Sequence, residues 1–152
     1  MTFSETQKFD IRILWCMRAA LLLTLLGLGF AAISVGDPVA RLIIAMTALI
    51  CVPLFLILDL SSLKSELDAE GIHLNFRPFT KKYFAWSDVQ SAEIVNYGFV
   101  GGWGIRIGTK YGTVYNTQGK EGLWLTLKNG KKVVIGTQRK AAMQAAVKRF
   151  FG

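Results

Sequence analysis

Histidine is almost missing from this sequence, with His73 its single instance. No cysteine lies near it in the chain, and the acids that do, Glu66, Asp68 and Glu70, read as a solvated turn, so it makes a poor metal ligand or general base. Acid is also scarce, at ten carboxylates against eighteen lysines and arginines. Beyond residue 64 the acids are Glu66, Asp68, Glu70, Asp88, Glu93 and Glu121; three crowd one turn and none shows the spacing of a catalytic pair. There is no nucleophile-elbow motif. "GKE" at 119–121 and "GKK" at 130–132 both lack the Ser or Thr that a P-loop requires. Cysteine is limited to Cys16 and Cys51, which sit at different depths of two separate apolar runs. That placement argues against a bridge and offers no metal spacing, leaving both as small apolar filler. We therefore expect no enzyme, no cofactor and no metal.

Charge and grease are segregated. Residues 1–64 carry five basic against four acidic groups, and residues 65–152 carry thirteen against six. The first part is apolar and nearly neutral, and the second is basic. Ala19 to Val35 and Leu42 to Leu58 are charge-free runs. About 20 helical residues cross a bilayer core of roughly 30 Å. The first run extends back through "ILWCM", with Arg18 reaching the interface by its apolar stem. The second extends to Leu60 and contains Pro53, which a membrane helix tolerates with a mild kink. The expected spans are about 13–35 and 41–60, joined by a tight turn in "GDPVAR". Domains are thus expected at 1–64, a tail and transmembrane hairpin, and at 65–152.

Lys8, Arg12 and Arg18 flank the start of the hairpin, and Lys64, Arg77, Lys81 and Lys82 follow its end. The turn holds Arg41, offset by Asp37. The positive-inside rule then places both termini in the cytoplasm of a multi-pass inner-membrane protein. Only Thr24, Ser34 and Thr47 are polar within the spans, which suits an anchor better than a channel or transporter.

From Ser65 the period becomes two. Ile72, Leu74 and Phe76 alternate with His73 and Asn75, and Leu123, Leu125 and Leu127 alternate with Trp124 and Thr126. Turns are expected at Asp68–Gly71, around Trp86–Val89, and at Asn129-Gly130, where both residues would take positive φ. Met143, Ala146, Val147 and Phe150 return to helical spacing, with Thr137 as the expected N-cap. The expected class is α+β: about seven strands in a small, partly open barrel or sandwich, closed by a C-terminal helix.

The segments "ELDAEGIHLNFRPF", "FAWSDV", "GGWGIR" and "VYNTQGKEGLWLTLKNGKKVVIGTQR" resemble the bacterial pleckstrin-homology-like (PH-like) proteins that carry a transmembrane hairpin before the domain. The likeness covers roughly residues 65–150. It implies a PH-like fold and a membrane location, and no activity. PH domains that recognise phosphoinositides use basic residues around their first strand-turn-strand. That turn is expected here at Asp68-Ala69-Glu70, where acid would repel a phosphorylated head group.

In "GGWGIR" the third glycine of a dinucleotide fingerprint is replaced by Ile107, and a strand follows instead of a helix. Two readings of the motif stand. Gly101, Gly102 and Gly104 let the sheet bend, with Trp103 packing nearby; or Trp103, Arg106, Tyr115 and Asn116 form a partner-binding surface. The basic pairs Lys81-Lys82, Lys131-Lys132 and Arg139-Lys140 are candidates for contact with an anionic membrane surface. Arg139 and Lys140 fall in the first helical turn, where the dipole disfavours cations, as a solvated, uncompensated pair. The basic pairs are scattered and the bilayer accounts for their sign, so nucleic acid is not expected as a partner.

The sequence thus points to a membrane-anchored scaffold or binding module. Its partners would be the bilayer and another membrane or cytoplasmic protein, or a second copy in a homo-oligomer. A sensor of anionic membrane surface and an accessory subunit of a transport system are the alternatives.

Overall fold

The computed structural model describes residues 2–152 and falls into two compact units. One is Phe9–Ser61; the other joins Met1–Lys8 to Ser62–Gly152. The second junction, between Ser61 and Ser62, lies close to the boundary expected after residue 64, and a further junction falls between Lys8 and Phe9. The first residues are not a tail but a strand of the β unit.

In the helical unit, α1 spans Ile11–Ser34 and α2 spans Pro38–Asp59. Both start earlier than the sequence suggested, because carboxylates cap them. Asp10 accepts from the Arg12 N–H, and Asp37 accepts from Val39 and Ala40, with Pro38 suited to the first helical position. The connection shrinks to residues 35–37. At 1.5 Å per residue the helices are about 36 and 33 Å long, enough for a hydrocarbon core of roughly 30 Å. Leu14 is the one buried side chain among the described residues of the two helices, and Leu23, Phe30, Ile33, Leu42 and Leu49 lie open on the outside. Two helices this long and apolar can cross a membrane. The hydroxyls of Thr24, Ser34 and Thr47 each donate to the carbonyl four residues back, so none needs water. At the open end of the hairpin Arg18 donates to Asp59 at 2.6 Å.

The β unit has two sheets. The first runs β1 (Phe3–Lys8), β2 (Ser62–Leu67), β3 (Gly71–Arg77), β4 (Thr80–Ala85), antiparallel throughout. The remaining strands are β5 (Val89–Asn96), β6 (Gly104–Thr109), β7 (Gly112–Asn116), β8 (Glu121–Leu127) and β9 (Lys132–Gly136). They form a second sheet in the order β5-β8-β9-β7-β6, with β7 and β9 parallel. Nine strands are described where about seven were expected, and the sheets do not close into a barrel. The terminal helix α3 (Lys140–Phe150) buries Met143, Ala146 and Val147, as its spacing predicted, and contacts β1, β5 and β8.

Lys8 pairs with Ser62. The hairpin is thus an insertion into the β1–β2 connection, and this is the first strand-to-strand link of the fold. Asp68-Ala69-Glu70 is the second.

The core lies between the sheets. Leu63, Leu67, Ile72, Leu74 and Phe76 face Leu123, Leu125, Val133 and Ile135, all buried. Each such side chain contributes about 1.5–3 kcal/mol by burial. β1 alternates too, but its inward residues are Phe3, Glu5 and Gln7. The polar two are fully engaged. Gln7 Nε2 donates to the Gly136 carbonyl and its Oε1 accepts from the Thr117 hydroxyl; Glu5 accepts from the Thr137 hydroxyl at 2.6 Å and the Gln138 N–H at 2.9 Å.

Those last two bonds set a carboxylate at the start of α3. The N-cap position is Arg139, not Thr137, whose hydroxyl instead accepts from the Arg139 N–H. Arg139 and Lys140 are not uncompensated either. Arg139 lies over the Phe3 ring and donates to the Ser4 carbonyl, and Lys140 pairs with Glu121 at 2.6 Å. The β8–β9 turn also differs from expectation. Leu127 N–H donates to Lys131 O and Gly130 N–H to Leu127 O, so the loop has three residues, and only Gly130 takes positive φ.

Candidate functional site

The sandwich is sealed on its β1 side by α3 and the Glu5 bonds. β4 is the free edge of the first sheet. A cleft of about 710 Å³ opens there. Register explains its lining. Phe84, Lys82 and Thr80 pair with Ile72, Leu74 and Phe76, whose side chains are buried, so Lys82 occupies an inward-facing position. From the second sheet come Thr113, Tyr115, Leu127 and Val133, with Lys128, Asn129 and Lys131 at the turn. The floor is apolar and the rim basic.

Lys82, Lys128 and Lys131 make no ion pair among the described residues, and Asp88 is the single acid in the lining. Lys132 also borders the cleft, but its ammonium lies 5.6 Å from the Trp124 ring centroid. Tyr115 is buried, and burial pushes its phenol pKa up, so it meets the cleft as a neutral group. Gly112, at φ +84°, permits the close parallel approach of β7 to β9, since a Cβ there would strike the Lys132 carbonyl. Lys81 is absent from this lining; it borders a separate hollow on the first sheet with Lys64, His73 and Tyr83.

The glycine-rich motif is a loop leading into β6. Gly101, Gly102 and Gly104 have φ of +85°, +120° and +102°. A Cβ on Gly102 would meet the Arg106 guanidinium, so the loop lies directly on that side chain. Pairing of Gly104 with Asn116 and of Arg106 with Val114 puts Arg106 and Asn116 on the outer face. Tyr115, adjacent to Asn116 in β7, faces inward. The four residues singled out in the sequence therefore do not form one surface. Trp103 and Asn116 share a small pocket of about 160 Å³ beneath Phe99 and Gly102. Asn116 Nδ2 donates to the Tyr97 hydroxyl, which caps a second small core of Tyr97, Val114 and Val134. Burial pushes the Tyr97 phenol pKa up, against the Asn116 bond.

His73 is less isolated than its sequence context suggested. Its Nε2 lies 3.0 Å from Asp68, and its ring stands 4.7 Å from Tyr83. Asp68 also accepts from the Glu70 and Gly71 N–H groups, and these backbone bonds hold its carboxyl below the usual range. This is a turn device on an exposed surface. No group of three or more metal-ligating side chains is found among the described residues.

Lys128, Asp88 and Phe84 were missed as cleft residues. Lys128 could have been found in the run "KNGKK", where three lysines bracket one hairpin turn. Asp88 and Phe84 carry no such signal. A scan against protein-family models finds no match for this chain, and a search of curated proteins finds none either.

Proposed function

We propose that this chain is a membrane-anchored binding module that mediates protein interaction or self-assembly at the cytoplasmic face of the membrane, without enzymatic activity. The observation that carries the reading is the insertion of the apolar hairpin between paired residues Lys8 and Ser62. A chain that leaves one sheet and returns to it must cross the bilayer an even number of times. The β unit, with both termini, then lies on one side. Its fifteen basic and seven acidic groups, against three of each in the hairpin, favour the cytoplasmic side.

Strand pairing also supports the PH-like reading. Setting aside the β6–β7 hairpin leaves a four-stranded sheet, the antiparallel set β5-β8-β9, and a C-terminal helix. That is seven strands closed by a helix. Crosslinking in native membranes tests the function: a reproducible partner or a second copy is expected, and a strictly monomeric, partner-free protein in mild detergent contradicts it. Protease treatment of inverted vesicles should digest the β unit while sparing the hairpin. A sensor of anionic surface is the second reading, favoured by the unpaired lysines Lys82, Lys128 and Lys131; liposome binding that ignores anionic lipid content dismisses it.

A further inference from the structure

We infer that the cleft between β4 and the β8–β9 turn takes an extended acidic peptide segment of a partner protein, added as a strand along β4. This rests on the binding-module reading above and names the partner's chemistry. Three observations converge. First, β4 pairs only with β3, so every second backbone N–H and C=O along it faces the opening without a strand partner. Such an edge is a template for another chain. Second, Lys82 stands on the inward face of that edge, and Lys128 and Lys131 stand across from it, all without counter-ions among the described residues. Third, Phe84, Tyr115, Leu127 and Val133 supply an apolar floor between the ammonium groups.

A strand sends alternate side chains to opposite faces. A segment along β4 would place every second side chain in the cleft. Acidic groups near its ends would meet Lys82 and the turn lysines, and an apolar one between them would reach the floor. An inward lysine on an edge strand is also a known guard against unwanted pairing. The two roles differ in outcome: a guard repels any added strand, whereas a recognition residue selects an acidic one. The uncompensated Lys128 and Lys131 on the facing wall favour selection, because a guard needs no second basic wall.

The test uses the full chain in nanodiscs of neutral lipid, probed with a displayed library of random heptapeptides. Enriched sequences should carry acid in an alternating pattern. Their binding should fall about tenfold or more in Lys82→Glu/Lys131→Glu, the loss of roughly 1.4 kcal/mol or more. Lys82→Ala/Lys131→Ala, which removes charge without reversing it, should show a smaller loss, and circular dichroism of both should match the parent. With the best peptide bound, amide hydrogen exchange should slow at alternate residues of β4. Enrichment without acidic patterning, binding indifferent to both variants, or unchanged β4 exchange would overturn the inference. So would anionic-lipid nanodiscs competing away the peptide with no β4 protection, which would assign the lysines to lipid. If native-membrane crosslinking captures a partner at another face, the cleft inference fails while the binding-module reading survives.

Discussion

Glu5→Ala should unfold the far end of the β unit, although Glu5 precedes the membrane hairpin in the chain. Glu5 is only 6 % exposed, and its carboxylate accepts two bonds, from Thr137 and Gln138, at the entrance to α3. A hydrogen bond to a charged group contributes about 1.5–3 kcal/mol, and a buried donor left unmade costs about 1–3 kcal/mol. The carboxylate also offsets the cations of the first turn of α3, adding roughly 0.3–1 kcal/mol. Removal should therefore cost about 3–5 kcal/mol. Glu5→Gln keeps one acceptor and should cost about 1–2 kcal/mol. Pulse proteolysis of the full chain in mild detergent across a urea series reads this directly, because cleavage reports the opened β unit. A variant Glu5→Ala within about 0.5 kcal/mol of the parent would refute the placement of β1 in the sheet.

Further outcomes follow from the same geometry. Exchanging Arg18 and Asp59 (R18D with D59R) should restore the hairpin stability that either single change lowers by about 1 kcal/mol, because each single change sets two like charges side by side at a partly exposed site; a double variant no better than the singles contradicts the pair. Tyr97 has a raised folded pKa, so its contribution is complete below the unfolded value of about 10 and is lost as pH rises through the folded one. Tyr97→Phe should flatten this alkaline limb in thermal melts. Asp68 has a lowered pKa, so its contribution is present above about 3.9 and disappears as pH falls through the folded value; Asp68→Asn should remove that acid limb. Gly112→Ala should prevent close approach of β7 to β9 and destabilise the β unit by about 1–3 kcal/mol, measured by the same proteolysis.

The legible part of the fold was apolar and periodic. The two helices announced themselves by length and by the charges at their ends, and β3 and β8 by strict alternation of Ile72, Leu74, Phe76 and of Leu123, Leu125, Leu127. β1 was illegible for a physical reason. Two of its three inward residues are polar, and their bonding partners lie more than a hundred residues away. No local pattern reports a carboxylate satisfied at that distance. The same blindness made Arg139 and Lys140 look uncompensated, when their neighbours are Phe3, Ser4 and Glu121. In the cleft, Lys82 and Lys131 were visible as charges. Their convergence depends on which face of β4 each side chain takes, and register is set by pairing with β3 rather than by residues 81 and 82 themselves. Trp103, Arg106, Tyr115 and Asn116 were grouped as one candidate surface, yet the alternation within β7 divides Tyr115 from Asn116.

The insertion of the hairpin into the β1–β2 connection has a direct test. Residues 9–61 are deleted and Lys8 is joined to Ser62 through Asn-Gly, a two-residue turn suited to an antiparallel pair. The resulting chain should be soluble without detergent, with a cooperative melt and the far-ultraviolet spectrum of a β protein. Residues 62–152 alone, lacking β1, should not fold. An insoluble or unfolded joined chain, or a fragment 62–152 that folds as well as it does, would contradict the insertion.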